Sequence, residues 1–254
     1  FKLSAIDHVV FFSGGMSSFF TAVRVKEKHG NERLKLLFTD TLIEDPDLYR
    51  FLKEGAAYLG GELIWLKEGR TPWEVFRDVR FLGNTRADPC SRILKREPAR
   101  KWVHDHYPDE TAVVLYLGMN WDEGHRAERA QKYWAPYHVE SPLTELPYLD
   151  KTQMMRALDH IFPSTAYEDG FAHDNCGGGC IKQGQAGFLH LLKMRPEVYA
   201  EWEKNEEGIR QFLDKDVSIL RDRRGGDTKV LTLRELRQRT PEQNDLFDLG
   251  GCGC

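Results

Sequence analysis

The chain contains no Gly-Lys-Ser or Gly-Lys-Thr, and no Gly-x-Gly-x-x-Gly follows a strand-like run. These absences remove the Walker-type phosphate loop and the dinucleotide-binding fingerprint. No apolar run approaches the ~20 residues that a bilayer-crossing helix requires. The first residues show no basic stretch followed by an apolar one, so no secretory leader is read, and the expectation is a cytoplasmic protein with no membrane partner. Neither sign of charge is in large excess: 36 Lys and Arg face 40 Asp and Glu, a net charge of -4 that gives no general attraction to nucleic acid. Cysteine is scarce, five in all, and four of the five fall in Cys-x3-Cys and Cys-x-Cys, a pattern that suits metal or redox chemistry better than disulfides.

With 41% apolar and 11% aromatic residues, the 254-residue chain can bury a full core, as one large domain or a domain with an appendage. Residues 9–12 are a short apolar run feeding Ser13-Gly14-Gly15-Met16-Ser17-Ser18 and then an amphipathic segment, which reads as strand, loop and helix. Two glycines allow close backbone approach, amides at a helix N-terminus point outward, and Ser13, Ser17 and Ser18 supply hydroxyls. The stretch therefore suits an anion such as phosphate. A Ser-Gly-Gly turn also serves as a plain strand-to-helix connection.

Further along, residues 34–38 form a strand running into Thr39-Asp40, and Asp45-Pro46 opens a helix with the stripe Leu48, Phe51, Leu52, Ala56 and Leu59. Residues 62–66 form a third strand, Thr71-Pro72-Trp73-Glu74 has the form of a capping box, and residues 112–117 are a fourth strand closed by Gly118. Alternating strands and helices predict an α/β fold, a doubly wound and mostly parallel sheet with its ligand at the carboxyl ends of the strands. From Asp150 the pattern is helical, with starts at Asp150, Gln185, Pro196 and Thr232. A boundary near residue 145 is expected between a nucleotide-binding domain, 1–145, and a helical C-terminal layer, 146–254, that carries a cysteine motif and tail.

The loop resembles the Ser-Gly-Gly-x-Asp-Ser pyrophosphate loop of the PP-loop ATP pyrophosphatases, the adenine-nucleotide alpha-hydrolase superfamily, with Ser17 where that pattern has Asp. Cys90-Ser91-Arg92-Ile93-Leu94-Lys95-Arg96-Glu97-Pro98 is similar to the Cys-x3-Leu-Lys-x2-Pro signature of the phosphoadenylylsulfate (PAPS) reductase branch, shared by sulfurtransferases that place phosphorothioate in DNA. Gly118-Met119-Asn120-Trp121-Asp122-Glu123-Gly124-His125-Arg126 is similar to the Gly-x4-Glu-x2/3-Arg stretch after the fourth strand of the same enzymes. Glu123 and Arg126 would share one helical face. Arg126 would hold a phosphate or sulfate, and Glu123 would orient it or hold Mg2+.

The resemblance implies an adenine nucleotide, ATP or phosphoadenylylsulfate, bound by residues 13–18, Thr39, Asp40, Gly118 and Glu123, with Lys95 and Arg126 acting on its anionic part. The tail Gly250-Gly251-Cys252-Gly253-Cys254 and the pair in Cys176-Gly177-Gly178-Gly179-Cys180 join Cys90 as thiolate donors. A 4Fe-4S cluster or a four-thiolate zinc site fits by ligand type, and the branch resembled uses the cluster. The expected ligands are Cys90, Cys176, Cys180 and Cys254, which leaves Cys252 for sulfur chemistry. The function so implied is a sulfurtransferase that adenylylates an acceptor and releases pyrophosphate, its partners a sulfur-donor protein and an acceptor for which nucleic acid stays open. Two alternatives stand beside it: a phosphoadenylylsulfate reductase served by a thioredoxin-like reductant, and a catalytically silent nucleotide sensor or partner subunit.

Overall fold

The computed structural model describes residues 6–158, 164–224, 227–239, 248 and 250. In chain order its regular elements are β1 (Asp7–Phe11), α1 (Met16–His29), β2 (Leu34–Asp40), α2 (Pro46–Leu59), β3 (Glu62–Lys67), α3 (Pro72–Asp78), α4 (Glu97–His106), β4 (Val113–Tyr116), α5 (Gly124–Trp134), β5 (His138–Glu140), α6 (Lys151–Ala157), α7 (Thr165–Glu168), α8 (Gln185–Met194), α9 (Pro196–Leu213), β6 (Leu220–Asp222), β7 (Lys229–Leu231) and α10 (Leu233–Gln238). They belong to two compact units. One comprises Phe1–Asp40, Pro46–Leu66 and Pro98–Thr165; the other comprises Thr41–Asp45, Lys67–Glu97 and Ala166–Cys254. The sequence reading draws a single boundary near residue 145, whereas the chain passes between these units repeatedly.

The first unit holds a five-stranded sheet in the order β3-β2-β1-β4-β5, with β1 parallel to both β2 and β4, and β4 parallel to β5. Strands with side chains buried on both faces read as continuous apolar runs, which is what Val9-Val10 and Leu36-Leu37-Phe38 are. On one face Val9, Leu37, Leu115 and Val139 pack against Ala99 and Val103 of α4 and Trp134 of α5. On the other, Phe12 meets Phe19 of α1 and Phe19 meets Phe51 of α2, at ring-centroid distances of 6.4 and 5.5 Å. Gly55 makes room for them, since a Cβ there would stand 3.2 Å from the Phe12 ring. Helices cover both faces, so the doubly wound α/β arrangement expected from the alternation is the one observed. The chain builds outward from β1 to β3, then returns to place β4 on the other side of β1. The strand order therefore reverses between β1 and β4, the position where open α/β sheets bind ligands.

The second unit is organised around α3, α8 and α9, whose Trp73, Phe76, Phe188, Leu191, Tyr199, Trp202 and Ile209 share one apolar cluster with Ile219, Leu231 and Leu233. Trp73 and Trp202 meet edge to face at 4.8 Å. The capping boxes expected at Thr71 and Thr232 are both reciprocated. Helix α9 runs from the expected start at Pro196 to Leu213, because the buried stripe Tyr199, Trp202, Ile209, Leu213 continues until Asp214 turns left-handed. An antiparallel pair, β6 with β7, was not anticipated; each strand is only three residues long. Among the described residues no helix is long and apolar enough to cross a membrane.

Candidate functional site

In the first unit, the loop after β1 is shaped by Gly14, whose φ of +89° is open to glycine and strained for other residues. A Cβ there would also press on Leu48 of α2, at 2.9 Å from its Cγ. Gly15 is the N-cap of α1, its N–H directed at Ser13 Oγ at 3.5 Å, and no acidic residue occupies the first turn of the helix. The positive end of the helix dipole thus meets no carboxylate in its own first turn and favours an anion. Ser13, Gly15 and Ser17 are partly exposed, while Gly14, Met16 and Ser18 are buried. The Ser18 hydroxyl donates to the Gly15 carbonyl at 2.8 Å and so serves the shape of the loop. Ser13 and Ser17 are the hydroxyls within a ligand's reach.

The segment after β4 forms a second wall. Gly118 lies against the start of α1, where a Cβ would sit 2.8 Å from Ser18 N and 2.9 Å from Ser17 C. Two residues on, Asn120 Oδ1 accepts the Ser17 hydroxyl at 3.2 Å. The Asn120 N–H donates to Glu123 Oε2 at 2.9 Å, and Glu123 Oε1 is ion-paired with Arg126. The loop, Gly118, Glu123 and Arg126 are thereby brought together, with Asn120 as the link that the sequence did not single out. Its short amide side chain marks a turn as readily as a site.

Thr39 and Asp40 end β2, next to β1 in the sheet. Thr39 is partly exposed. Asp40 is buried, and its oxygens accept the Tyr49 hydroxyl at 2.8 Å and the Trp65 indole N–H at 3.1 Å. These bonds fix two stacked rings 5.4 Å apart, so Asp40 serves this aromatic pair.

In the second unit, Cys90 begins a π-helical turn, Ser91–Arg96, and the amine of Lys95 lies 3.3 Å from Glu44. The Glu44 carboxylate is buried; it also accepts the Thr41 hydroxyl at 2.8 Å and the Cys176 N–H at 2.5 Å. Among the described residues, no other residue gives Asp174, 1% exposed, a hydrogen bond to either carboxylate oxygen. Burial, followed by the charge of Glu44, pushes its carboxyl up to about 8, against the opposing pull of its own backbone N–H and of Lys95. Arg195 closes the group from the other side, paired with Asp45 and with Asp169 and lying over the Phe171 ring. Nothing in the residue pattern singled out Glu44, Asp174 or Arg195, since each is a common charged type outside the motifs.

Cys90 and Cys176 are half-buried and Cys180 is buried. The glycines of Cys176-Gly177-Gly178-Gly179-Cys180 have a steric reason: a Cβ on Gly178 would stand 2.9 Å from the Phe171 ring, and one on Gly179 would stand 2.5 Å from the Trp202 indole nitrogen. Cys176, Gly177 and Gly178 are all left-handed. Freedom to bend two thiolates toward one ion is not needed to explain them. Among the described residues, no group of three or more His, Cys, Asp or Glu side chains is arranged to hold a metal ion. The expected ligand Cys254 and the expected nucleophile Cys252 lie outside the described residues. The described thiols do not by themselves fit a cluster or a zinc ion.

No family model matches the chain. It is 24% identical over 218 residues to the uncharacterized protein MJ0066 of Methanocaldococcus jannaschii, covering 82% of this chain and 42% of that one, so it spans less than half the length of this curated relative. Among solved structures it is similar to a phosphoadenylyl-sulfate (PAPS) reductase from Candida auris in complex with phosphate, at 14% identity and a TM-score of 0.41, over 66% of this chain and 78% of that one. It is also similar to a predicted subunit of a tRNA methyltransferase from Methanocaldococcus jannaschii, at 17% identity and a TM-score of 0.37, over 76% and 89% of the two chains. Likenesses of this size bear on neither substrate nor activity, and the fold rests on the strand order and pairing of the sheet itself.

Proposed function

We propose that the chain is an adenine-nucleotide-dependent enzyme of the PP-loop kind, which binds ATP with its phosphates on residues 13–18. The observation that carries the reading is the N-terminus of α1, with no acidic residue in its first turn, at the strand-order reversal, opened by Gly14 and walled by Gly118. A phosphate placed there meets the Gly15 amide, the first amides of α1 and the hydroxyls of Ser13 and Ser17. Arg126 stands on the same wall as the cation for developing negative charge.

In this reading an oxygen of the acceptor attacks the α-phosphorus of ATP, the bond to the β-phosphate oxygen breaks, and pyrophosphate leaves with the electron pair. A sulfur nucleophile then displaces AMP from the adenylylated acceptor, which makes the chain a sulfurtransferase. In the second unit Lys95 is proposed to act on an anionic group of the reactants, and Cys90, Cys176 and Cys180 to serve the sulfur half, with Cys252 acting on the sulfur that a donor protein supplies. The experiment is pyrophosphate release from ATP, with Mg2+, measured with and without candidate acceptors, a single-stranded oligonucleotide among them. Acceptor-dependent release that is lost in Arg126→Ala supports the reading. ATP that binds without any release supports a silent sensor, and reduction of phosphoadenylylsulfate without ATP supports a reductase.

A further inference from the structure

Helix α8, in the second unit, begins without a cap of its own. Its N-cap is Gly184, which has no side chain to offer, so the first N–H groups of the helix need acceptors from elsewhere. The far end of the chain brings them: Asp248 Oδ2 accepts the Gln185 N–H at 3.3 Å, and the Asp248 carbonyl accepts the Ala186 N–H at 3.2 Å. A carboxylate here also meets the positive end of the helix dipole. Two residues on, Gly250 forms an antiparallel bridge with Gln183. The fit is backbone to backbone: a Cβ on Gly184 would overlap the Asp248 carbonyl, and one on Gly250 would overlap the Gly184 amide and the Lys182 carbonyl. Gly250 has a φ of +69°, which glycine adopts without strain.

We propose that residues 182–186 are a dock for the C-terminal tail, and that the dock delivers a tail thiol to Cys180 to form a reversible intrachain disulfide. Cys180 stands beside the dock: its carbonyl accepts the Gln183 N–H at 3.0 Å, and its buried Sγ accepts the Lys182 N–H at 3.4 Å. Cys252 and Cys254, outside the described residues, follow Gly250 by two and four positions, so chain length alone keeps them within about 7 and 14 Å of it. A thiol tethered this closely meets its partner at an effective concentration on the order of millimolar. With oxidised glutathione as the oxidant, a tail thiolate attacks the glutathione disulfide and releases one glutathione. The Cys180 thiolate then attacks the tail sulfur of that mixed disulfide and releases the second. Two protein thiols are oxidised, one glutathione disulfide is reduced, and the two protons lost by the protein end on the two glutathione thiols. None of this depends on what residues 13–18 bind.

The test is oxidation of the reduced full chain with oxidised glutathione, followed by non-reducing digestion and mass spectrometry, with fragmentation to tell Cys180 from Cys176 in a linked peptide. The parent is expected to link Cys180 to Cys252 or Cys254, and dithiothreitol should open the link again. Gly250→Val, which jams the tail against Gly184 and Lys182, should slow the link about tenfold. Asp248→Ala, which takes the carboxylate from the start of α8 and leaves the glycine seat, should slow it less. Melting temperatures of both variants check that the fold is kept. A fully oxidised parent in which Cys180 is still free, its tail cysteines joined to each other, to Cys176 or to glutathione, would overturn the proposal. So would a link that forms at the parent's rate in both variants.

Discussion

Gly118 and Ser18 approach so closely that a Cβ on Gly118 would stand 2.8 Å from the Ser18 amide nitrogen. The opposing atoms are backbone, so a rotamer change cannot relieve the clash. Gly118→Ala is therefore expected to push the β4 end away from the start of α1, costing about 1–3 kcal/mol of stability and weakening ATP binding with it. Thermal melting and titration check this together. An alanine variant with the parent's melting temperature and affinity would show that the wall yields freely.

Glu206 tests the second unit by a different route. It is 1% exposed, and its carboxylate accepts the N–H of Ile219 at 2.9 Å and of Leu233 at 2.6 Å, tying α9 to the starts of β6 and α10. Removing both acceptors in Glu206→Ala leaves two buried donors without partners and should cost about 2–4 kcal/mol.

The same side chain sets a pH dependence. Burial raises its carboxyl from 4.5 to about 7, against the opposing effect of the two N–H groups. A folded-state value above the unfolded one means that the folded chain holds more protons in this window. The stability Glu206 contributes is thus full below 4.5 and is lost as pH rises toward 7. Unfolding free energy measured by denaturant from pH 4.5 to 7 should carry this loss in the parent and lack it in Glu206→Gln. Identical slopes in the two proteins would contradict the assignment.

His8 and His29 work in the opposite sense. Their rings stack at 4.0 Å, and His8 Nδ1 lies 2.9 Å from the Tyr116 hydroxyl. Burial, then the neighbouring His29, lowers the His8 value from 6.5, with Glu140 and Asp7 opposing; burial, then Lys28, lowers that of His29. With both depressed in the folded state, protonation favours the unfolded chain. Their contribution is full above 6.5 and is lost as pH falls below it. The melting temperature of His8→Gln should fall less steeply than that of the parent between pH 7 and 5; an equal or steeper fall would rule out the pair as the cause.

The features legible in the sequence are those whose chemistry is local. The caps at Thr71, Asp150 and Thr232 are signalled by a residue three positions on, and all three are reciprocated. The apolar stripe of α2 follows from helical period alone, and strand alternation with Pro and Gly punctuation is enough to give the α/β sheet. What stayed hidden depends on partners distant in sequence. Asp40 stands at a strand end, and nothing beside it in sequence signals that Trp65, 25 residues on, donates to one of its oxygens. Lys95 meets Glu44 and Glu44 meets Cys176 across spans that no motif encodes. The glycines between Cys176 and Cys180 look like freedom for a metal site, yet Phe171 and Trp202 press on two of them. Asn120 with Glu123 three residues on carries the signal of a cap, but its contact with Ser17, 103 residues away in sequence, has none.

The most direct test of the phosphate reading is hydrogen–deuterium exchange of the full chain with and without ATP and Mg2+, read on peptides covering residues 7–30 and 113–126. The amides of residues 15–18 stand at the start of α1, so they should slow in exchange on nucleotide binding, with a smaller slowing at residues 118–123. Titratable ATP binding accompanied by protection elsewhere, with residues 15–18 unchanged, would contradict the account.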